Sequence, residues 1–189
     1  MVHLREKLVL ASASPRRSEI LDRAGWPHDI MAAGIDETVL PNEDAATYVQ
    51  RLALEKAHAV ACALDDGLVL GADTTVVVAN QILGQPVDEA DARRMLRLLN
   101  AKWHDVLTGV AVVRARGESR VGYQTTRVRF AEMSDDEIDW YIASREPFGK
   151  AGAYGIQGKA ALFIEEIQGD YFNIMGLPIR LVYELTKSV

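Results

Sequence analysis

The chain has 189 residues, of which 49% are hydrophobic and 25% charged, and its formal net charge at pH 7 is −6. This composition is typical of one globular domain, and the acidic charge argues against nucleic acid or an anionic membrane surface as the main partner. No run approaches the roughly 18 apolar residues of a membrane span, and the single cysteine, Cys62, suits a reducing cytoplasm.

Strands and helices are expected to alternate along the first half of the chain. Short apolar runs bounded by turn residues indicate buried strands, and capping residues followed by an apolar stripe indicate helices. The expected order is a strand at 8–11, a helix at 14–25, a strand at 28–33, a helix at 42–64, a strand at 68–79 and a turn at 80–81.

The second half adds long strands to this pattern. The expected order is a helix at 88–99, β-type runs at 104–114 and 122–130 around a turn at 116–118, a helix at 134–143, a glycine-rich loop at 144–158, a strand at 162–167 and a helix at 177–185. Because the helices alternate with strands and one long hairpin is present, we expect a mixed α/β sheet within a single domain spanning 1–189.

The segment Ser12-Ala13-Ser14-Pro15-Arg16-Arg17 lies between the first strand and the first helix. A helix N-terminus has free N–H groups and a partial positive charge, so two arginines there are unfavourable unless an anion binds among them. The hydroxyls of Ser12 and Ser14, together with Arg16 and Arg17, therefore form a candidate phosphate cradle. A solvated basic turn with an ordinary Ser-Pro cap is the alternative interpretation.

Asp73, in Gly71-Ala72-Asp73-Thr74-Thr75, places an acid at the end of a buried apolar strand. Ligand crevices of α/β sheets lie there, and an acid beside phosphates can hold a divalent ion or activate water. Asp36 and Glu37 are further candidate metal ligands, and Lys56 is a candidate phosphate contact. The alternatives are an Asp that bonds nearby backbone and a solvated Glu and Lys.

Residues 149–158 contain four glycines, with Lys150 and Gln157 as the main polar side chains. Glycines allow a ligand to approach the backbone closely, although a flexible hinge is the alternative. The histidines are scattered, and none is assigned a role: His3, His28, His58 and His104.

Taken together and in this order, these segments resemble the Maf family from residue 8 to about residue 185. The residues at 11–17 look like the opening signature of that family, Gly71-Ala72-Asp73-Thr74 looks like its acidic motif, and 150–158 looks like its third motif. The tail at 169–178 also fits. Gln85 stands where relatives commonly have lysine, so a phosphate contact is weakened and more of the charge falls to Lys56 and Lys150.

The resemblance implies an elongated mixed sheet flanked by helices, similar to inosine triphosphate pyrophosphatases, with a central cleft and, as an open alternative, two lobes. It implies hydrolysis of a nucleoside triphosphate to the monophosphate and pyrophosphate with Mg²⁺ or Mn²⁺. By likeness, Asp73 is the catalytic acid–base residue, and the residues that discriminate among bases are Arg16, Thr74 and Gln157. This combination resembles the dTTP/UTP type, and house-cleaning of modified nucleotides is the role that the family suggests, with a link to cell division arrest.

In the expected mechanism, the triphosphate lies over the start of the first helix. Four cations offset its charge: Arg16, Arg17, Lys56 and Lys150. Glu37 and Asp73 hold the divalent ion, and a water deprotonated by Asp73 attacks a phosphorus of the α–β linkage. The alternatives are a 7-methyl-GTP pyrophosphatase of the same family, a non-catalytic nucleotide-binding regulator and an RNA-binding module. A homodimer is left open.

Overall fold

The structure is a computed structural model that describes residues 6–189, so His3 lies outside the described residues. The strands are β1 (Leu8–Leu10), β2 (His28–Ile30), β3 (Leu68–Val78), β4 (Gln81–Leu83), β5 (Trp103–Arg114), β6 (Ser119–Phe130) and β7 (Ile164–Gln168). The helices are α1 (Pro15–Arg23), α2 (Ala45–Ala61), α3 (Glu89–Leu99), α4 (Asp135–Ala143), α5 (Tyr171–Ile174) and α6 (Ile179–Thr186). Within residues 6–189, no helix has the length and apolar character needed to cross a bilayer.

Seven strands form one sheet in the order β2-β1-β3-β5-β6-β7, and β4 pairs with the end of β3. β1 runs parallel to both β2 and β3, whereas the β3–β4 and β6–β7 pairs are antiparallel. The predicted mixed α/β sheet flanked by helices is therefore confirmed.

Several local predictions differ from the structure: the strand expected at 28–33 ends at Ile30, the helix expected at 42–64 spans Ala45–Ala61, and the strand expected at 122–130 begins at Ser119. The turn predicted at 80–81 is formed by Ala79 and Asn80, both with positive φ, and Gln81 already belongs to β4. The strand predicted at 162–167 begins later, because Lys159–Phe163 forms a 3₁₀ turn before β7. The four-residue helix α5 was not predicted.

The first of two compact units comprises the chain up to Asp73, Thr108–Gln124 and Gly176–Val189. Its core packs the small-residue face of α2 against apolar side chains of β3 and β5. A Cβ atom on Gly71 would lie 2.0 Å from the carbonyl oxygen of Ala53, and one on Gly109 would lie 2.1 Å from that of Val49. The backbone of α2 therefore lies in direct contact with both strands.

The second unit comprises Thr74–Leu107 and Thr125–Met175. Its core contains apolar side chains of α3 and α4 together with the ends of β3, β5 and β6. Three rings, those of His104, Phe130 and Tyr154, pack edge to face at its centre, and each contacts the other two. Of the candidate site residues, Lys56 lies on α2 and Asp73 on β3, two elements that pack together in the core of the first unit.

Candidate active site

Asp73 lies within β3 and not, as the sequence had suggested, at the end of a strand, because the β-type residues that follow it extend the strand to Val78. Its position is linked to that of the glycine two residues before it. Side chains at i and i+2 of a strand share a face, so Asp73 points to the side on which Gly71 admits α2. Lys56 lies on α2 beside Ala57, whose backbone N would be 2.9 Å from a Cβ on Gly71. Lys56 Nζ consequently donates to Asp73 Oδ1 at 2.7 Å, and the two residues are only 7% and 6% exposed.

The same lysine also meets Glu37, which belongs to an exposed loop. Lys56 Nζ lies 2.7 Å from Glu37 Oε1, so one ammonium bridges two carboxylates. Helix α2 holds this loop through two further side chains: Tyr48 Oη donates to the Glu37 carbonyl at 3.0 Å, and Arg51 Nη2 donates to the Thr38 carbonyl at 3.1 Å. Glu37, Lys56 and Asp73 are thus brought together by α2.

Asp36, the neighbour of Glu37, makes a different contact. Its Oδ1 atom accepts from the backbone N of Thr38 at 2.9 Å and from the Thr38 hydroxyl at 2.6 Å. These bonds lower the pKa of the Asp36 carboxyl and close a local turn. The carboxyl therefore stabilises its own loop.

Arg17 is the buried member of the arginine pair. Its Nε atom donates to the Gly176 carbonyl at 2.8 Å, and Nη1 donates to Ser12 Oγ at 2.9 Å. Ser12 Oγ also accepts from the backbone N of Ser14 at 3.2 Å. Ser14 occupies the predicted N-cap position of α1, but its side chain makes no capping hydrogen bond. Arg16, which directly precedes Arg17, is half-buried.

Burial dominates the electrostatics of this cluster. It raises the pKa of the Asp73 carboxyl, although the charges of Lys56 and Arg17 act in the opposite direction. It lowers the pKa of the Arg17 guanidinium, which Asp73 and Glu37 partly offset, and it also lowers the pKa of Arg16. Asp73 is therefore a carboxylate with increased proton affinity, held beside two cations.

The carboxylates of Glu37 and Asp73 are the predicted metal ligands. Each has an oxygen 2.7 Å from Lys56 Nζ, so these two oxygens are no more than twice that distance apart. Over residues 6–189 there is no group of three or more His, Cys, Asp or Glu side chains arranged to hold a metal ion. Carboxylate oxygens are ligands that suit Mg²⁺ and Mn²⁺, so Glu37 and Asp73 are the described residues that would contribute to holding such an ion.

Thr74, Lys150 and Gln157 belong to the second unit. Thr74 and Lys150 are half-buried, and the ammonium of Lys150 donates to the carbonyl of Glu146. Gln157 is exposed on a turn that the backbone N of Gly158 closes on the Gly155 carbonyl at 3.1 Å. The glycine-rich segment is therefore a hydrogen-bonded turn, and Gln85 lies exposed in a separate segment after β4.

Several residues that position the candidates were given no role in the sequence predictions. They are Tyr48, Arg51, Tyr141, Glu146 and Gly176. Gly176 lies within the tail at 169–178 that fits the Maf pattern, so the sequence held a signal there. The other four are common residue types on helices or beside them, and only their tertiary contacts distinguish them.

Comparison with known proteins identifies relatives of the whole chain. The profile of the Maf family, described as Maf-like protein, matches residues 7–189. A protein named dTTP/UTP pyrophosphatase from Bacillus cereus is 50% identical over 182 residues, which cover 96% of this chain and 95% of that protein.

Two solved structures share the fold at low sequence identity. The Staphylococcus aureus Ham1 protein has a TM-score of 0.55 and 13% identity, with 97% of this chain and 99% of that chain covered. A HAM1 protein from Coxiella burnetii has a TM-score of 0.55 and 12% identity, with 97% and 100% covered. Both extend the likeness of the fold over nearly the whole chain.

Proposed function

Because this chain belongs to the Maf family, we propose that it hydrolyses dTTP and UTP to the nucleoside monophosphate and pyrophosphate. The observation that carries the proposal is the buried Lys56–Asp73 pair, in which a carboxylate of raised pKa is held by a cation. The 50% identity to a protein named dTTP/UTP pyrophosphatase supports the choice of substrate.

The triphosphate binds through the cations and N–H groups at the start of α1. Arg16 and Arg17 supply guanidinium groups that pair well with phosphate oxygens, and the N–H groups of a helix end are further donors of the kind that bind phosphate. Ser12 Oγ already holds Arg17 and the Ser14 backbone, so the cradle is preorganised before the phosphates arrive. Lys56 and Lys150 complete the proposed set of phosphate-binding cations.

Asp73 acts as the general base. A water molecule gives a proton to Asp73 while its oxygen bonds to a phosphorus of the α–β linkage, and the bond from that phosphorus to the bridging oxygen breaks. The bridging oxygen leaves with its electron pair on the departing phosphate group. Burial makes the Asp73 carboxyl a stronger base than an exposed aspartate, and Lys56 stabilises its negative charge between turnovers.

A divalent cation, Mg²⁺ or Mn²⁺, accompanies the substrate. The candidate site residues of the first unit carry a net charge of +1 against a triphosphate. The three cations are Arg16, Arg17 and Lys56, and the two carboxylates are Glu37 and Asp73. Glu37 and Asp73 would hold the ion, which neutralises phosphate charge when it is bound. Phosphate oxygens can then replace the carboxylates as partners of the Lys56 ammonium.

Base selection falls to Arg16, Thr74 and Gln157. A glutamine amide offers one acceptor and two donor hydrogens, and uracil and thymine present an N–H between two carbonyls. One amide can therefore accept from the pyrimidine N3–H and donate to a neighbouring carbonyl. Guanine presents two adjacent donors, which suit a carboxylate better.

Pyrophosphate release from a nucleotide panel tests the proposal. Purified protein is assayed with dTTP, UTP, CTP, GTP and 7-methyl-GTP, with Mg²⁺ or Mn²⁺ and after exhaustive chelation. We expect the highest kcat/KM for dTTP and UTP, loss of activity on chelation and recovery when either metal is restored. A preference for 7-methyl-GTP would contradict the substrate assignment, and full activity in the chelated protein would contradict the metal.

A further inference from the structure

We propose that Glu146 and Tyr141 are positioning residues that fix the turn carrying Gln157 and thereby determine base selectivity. The inference rests on the proposed function, because Gln157 is given its role there. Both residues belong to the second unit, and neither has a place in the mechanism above.

Glu146 caps the backbone on the far side of the turn. Its Oε2 atom accepts from the backbone N of Lys159 at 2.9 Å, and Oε1 accepts from that of Ala160 at 3.4 Å. These N–H groups begin the 3₁₀ turn Lys159–Phe163, whose own N-cap residue, Gly158, has no side chain to satisfy them. A carboxylate at the start of a helical turn is the favourable partner for such donors.

Gly158 makes this cap sterically feasible. A Cβ atom at that position would lie 2.2 Å from Glu146 Oε1 and 2.4 Å from Oε2. Any other residue would displace the carboxylate from the two N–H groups. The glycine therefore serves to admit Glu146, in addition to whatever freedom it gives the turn.

Tyr141 holds the near side of the same turn. Its hydroxyl, on the fully buried side chain, donates to Glu146 Oε1 at 3.0 Å and accepts from the backbone N of Gly155 at 3.3 Å. Burial and the charge of Glu146 raise the pKa of this phenol, so the hydroxyl remains protonated and able to donate.

The turn between these anchors carries Gln157. The Gly158 N–H closes the turn on the Gly155 carbonyl at 3.1 Å, the Ile156 side chain is buried, and Gln157 faces outward. Gly155 and Lys159 are thus tied at opposite ends to one hydrogen-bonded Tyr141–Glu146 pair. Gln157 therefore keeps a fixed backbone position although its side chain is exposed.

Amide hydrogen exchange and nucleotide selectivity together test the inference. The variants are Glu146→Ala, Glu146→Gln and Tyr141→Phe, and the matched control is Glu166→Gln, whose exposed parent side chain contacts Gln168 on β7. Exchange is followed at the amides of 155–160 in the nucleotide-free protein, and kcat and KM are measured for UTP and GTP.

We expect Glu146→Ala to lose protection from hydrogen exchange at the amides of 155–160. Its kcat/KM for UTP should fall about 10- to 100-fold, mainly because KM rises, since a misplaced recognition group reduces kcat/KM by about this factor. The ratio of UTP to GTP should fall with it. Glu146→Gln keeps an acceptor oxygen and should recover part of both, whereas Tyr141→Phe should lose protection chiefly at Gly155. Glu166→Gln should match the parent protein.

The two proposals fail in different ways. Unchanged exchange in both Glu146→Ala and Tyr141→Phe would overturn the anchoring role, whether or not the enzyme hydrolyses nucleotides. Lost protection with an unchanged UTP-to-GTP ratio would overturn the link to selectivity. A parent protein that hydrolyses neither UTP nor dTTP would overturn the proposed function, and the selectivity inference with it, while the exchange data would still decide the anchoring. Should Glu146→Ala not fold, Tyr141→Phe carries both measurements.

Discussion

In the first unit, Arg17, Lys56 and Asp73 are charged residues that are almost wholly buried, and among residues 6–189 no other Asp, Glu, Lys or Arg is so little exposed as a whole residue. The polar side chains that the described part of the second unit buries are neutral ones: Thr75, His104, Thr126 and Asn173. Removing an ion from water costs several kcal/mol, which a paired partner only partly offsets. The first unit therefore carries an electrostatic cost that the second avoids, as expected if the charges serve catalysis.

The two units also use glycine differently around their polar clusters. In the first, Gly71 admits the backbone of α2, and the helix brings Lys56 to Asp73. In the second, Gly158 admits the carboxylate of Glu146, and that carboxylate holds the backbone. One unit thus fixes the side chains proposed to act in catalysis, whereas the other fixes a turn and leaves Gln157 exposed. Four substitutions test this contrast.

The largest effect is expected at the buried acid. Asp73→Asn keeps the shape of the side chain but removes its ability to accept a proton, so kcat should fall on the order of 10²–10⁴-fold. Circular dichroism checks that the fold is retained, and Asp66→Asn, an exposed change in the same unit, should leave kcat as it was. Turnover near the parent rate in Asp73→Asn would remove Asp73 from the mechanism.

The next effect concerns the approach of α2. Gly71→Ala places a methyl group 2.0 Å from the Ala53 carbonyl oxygen, so the helix must move and Lys56 must move away from Asp73. We expect a loss of roughly 1–3 kcal/mol in the free energy of unfolding, with lower kcat. Gly34→Ala is the control, because nothing lies within 4 Å of its added Cβ. Equal melting temperatures for the two variants would contradict the close approach.

A smaller effect is expected from the exposed Gln157. Gln157→Glu places an acceptor opposite a pyrimidine carbonyl, which costs roughly 1–3 kcal/mol, or about 5- to 150-fold in kcat/KM for UTP. The same change should harm 7-methyl-GTP less or favour it. The measurement is kcat/KM for both nucleotides and for dTTP in parent and variant. If all the rates fall in proportion, Gln157 serves the fold of the turn and does not select the base.

The smallest effect is a pH-dependent change in the free energy of unfolding, at most about 1.4 kcal/mol for each pH unit. It tests whether the second unit buries a neutral histidine. Burial lowers the pKa of His104 from 6.5 to about 4, and its Nε2 atom lies 2.8 Å from Tyr154 Oη. Between these two values, His104 is protonated in the unfolded chain but neutral in the folded protein. The free energy of unfolding therefore decreases as the pH falls from 6.5 towards about 4.

Urea unfolding of the parent and His104→Gln at pH 7, 6 and 5 measures this loss. The stability of the parent should decrease relative to that of the variant at each step, and the subtraction removes the opposite contribution of Asp73, whose pKa is raised. A difference that does not change with pH would mean that His104 is protonated as readily in the folded protein as in the unfolded chain.

The sequence predicted the mixed sheet and most of its elements because their signals are local. The capping box at Ser134 and the side-chain cap at Asp44 are both present in the structure. The turn before β4 was misplaced because Ala79 adopts a positive φ that alanine rarely takes. α5 has four residues, too few for a helical period to be visible.

The site was predicted as a set of residues and not as an arrangement. Residue types singled out Lys56 and Glu37, and resemblance gave Asp73 its role, but the bridging of both carboxylates by one ammonium depends on the packing of α2 against β3. The contacts of Glu146 with Lys159 and Ala160 likewise join residues separated by a helix end and a loop. No periodicity or motif encodes such contacts, because they depend on tertiary packing.

Gly71 and Gly109 have a consequence for protein engineering. A core built from side-chain contacts can be repacked in many ways, and substitutions there can compensate for one another. The distance of α2 from β3 and β5 is set instead by main-chain atoms, for which no replacement side chain exists. A mutant library intended to stabilise this protein can vary the apolar residues around α2, but it must keep glycine at these two positions. They allow α2 to approach close enough for Lys56 to reach Asp73, although neither carries a functional group.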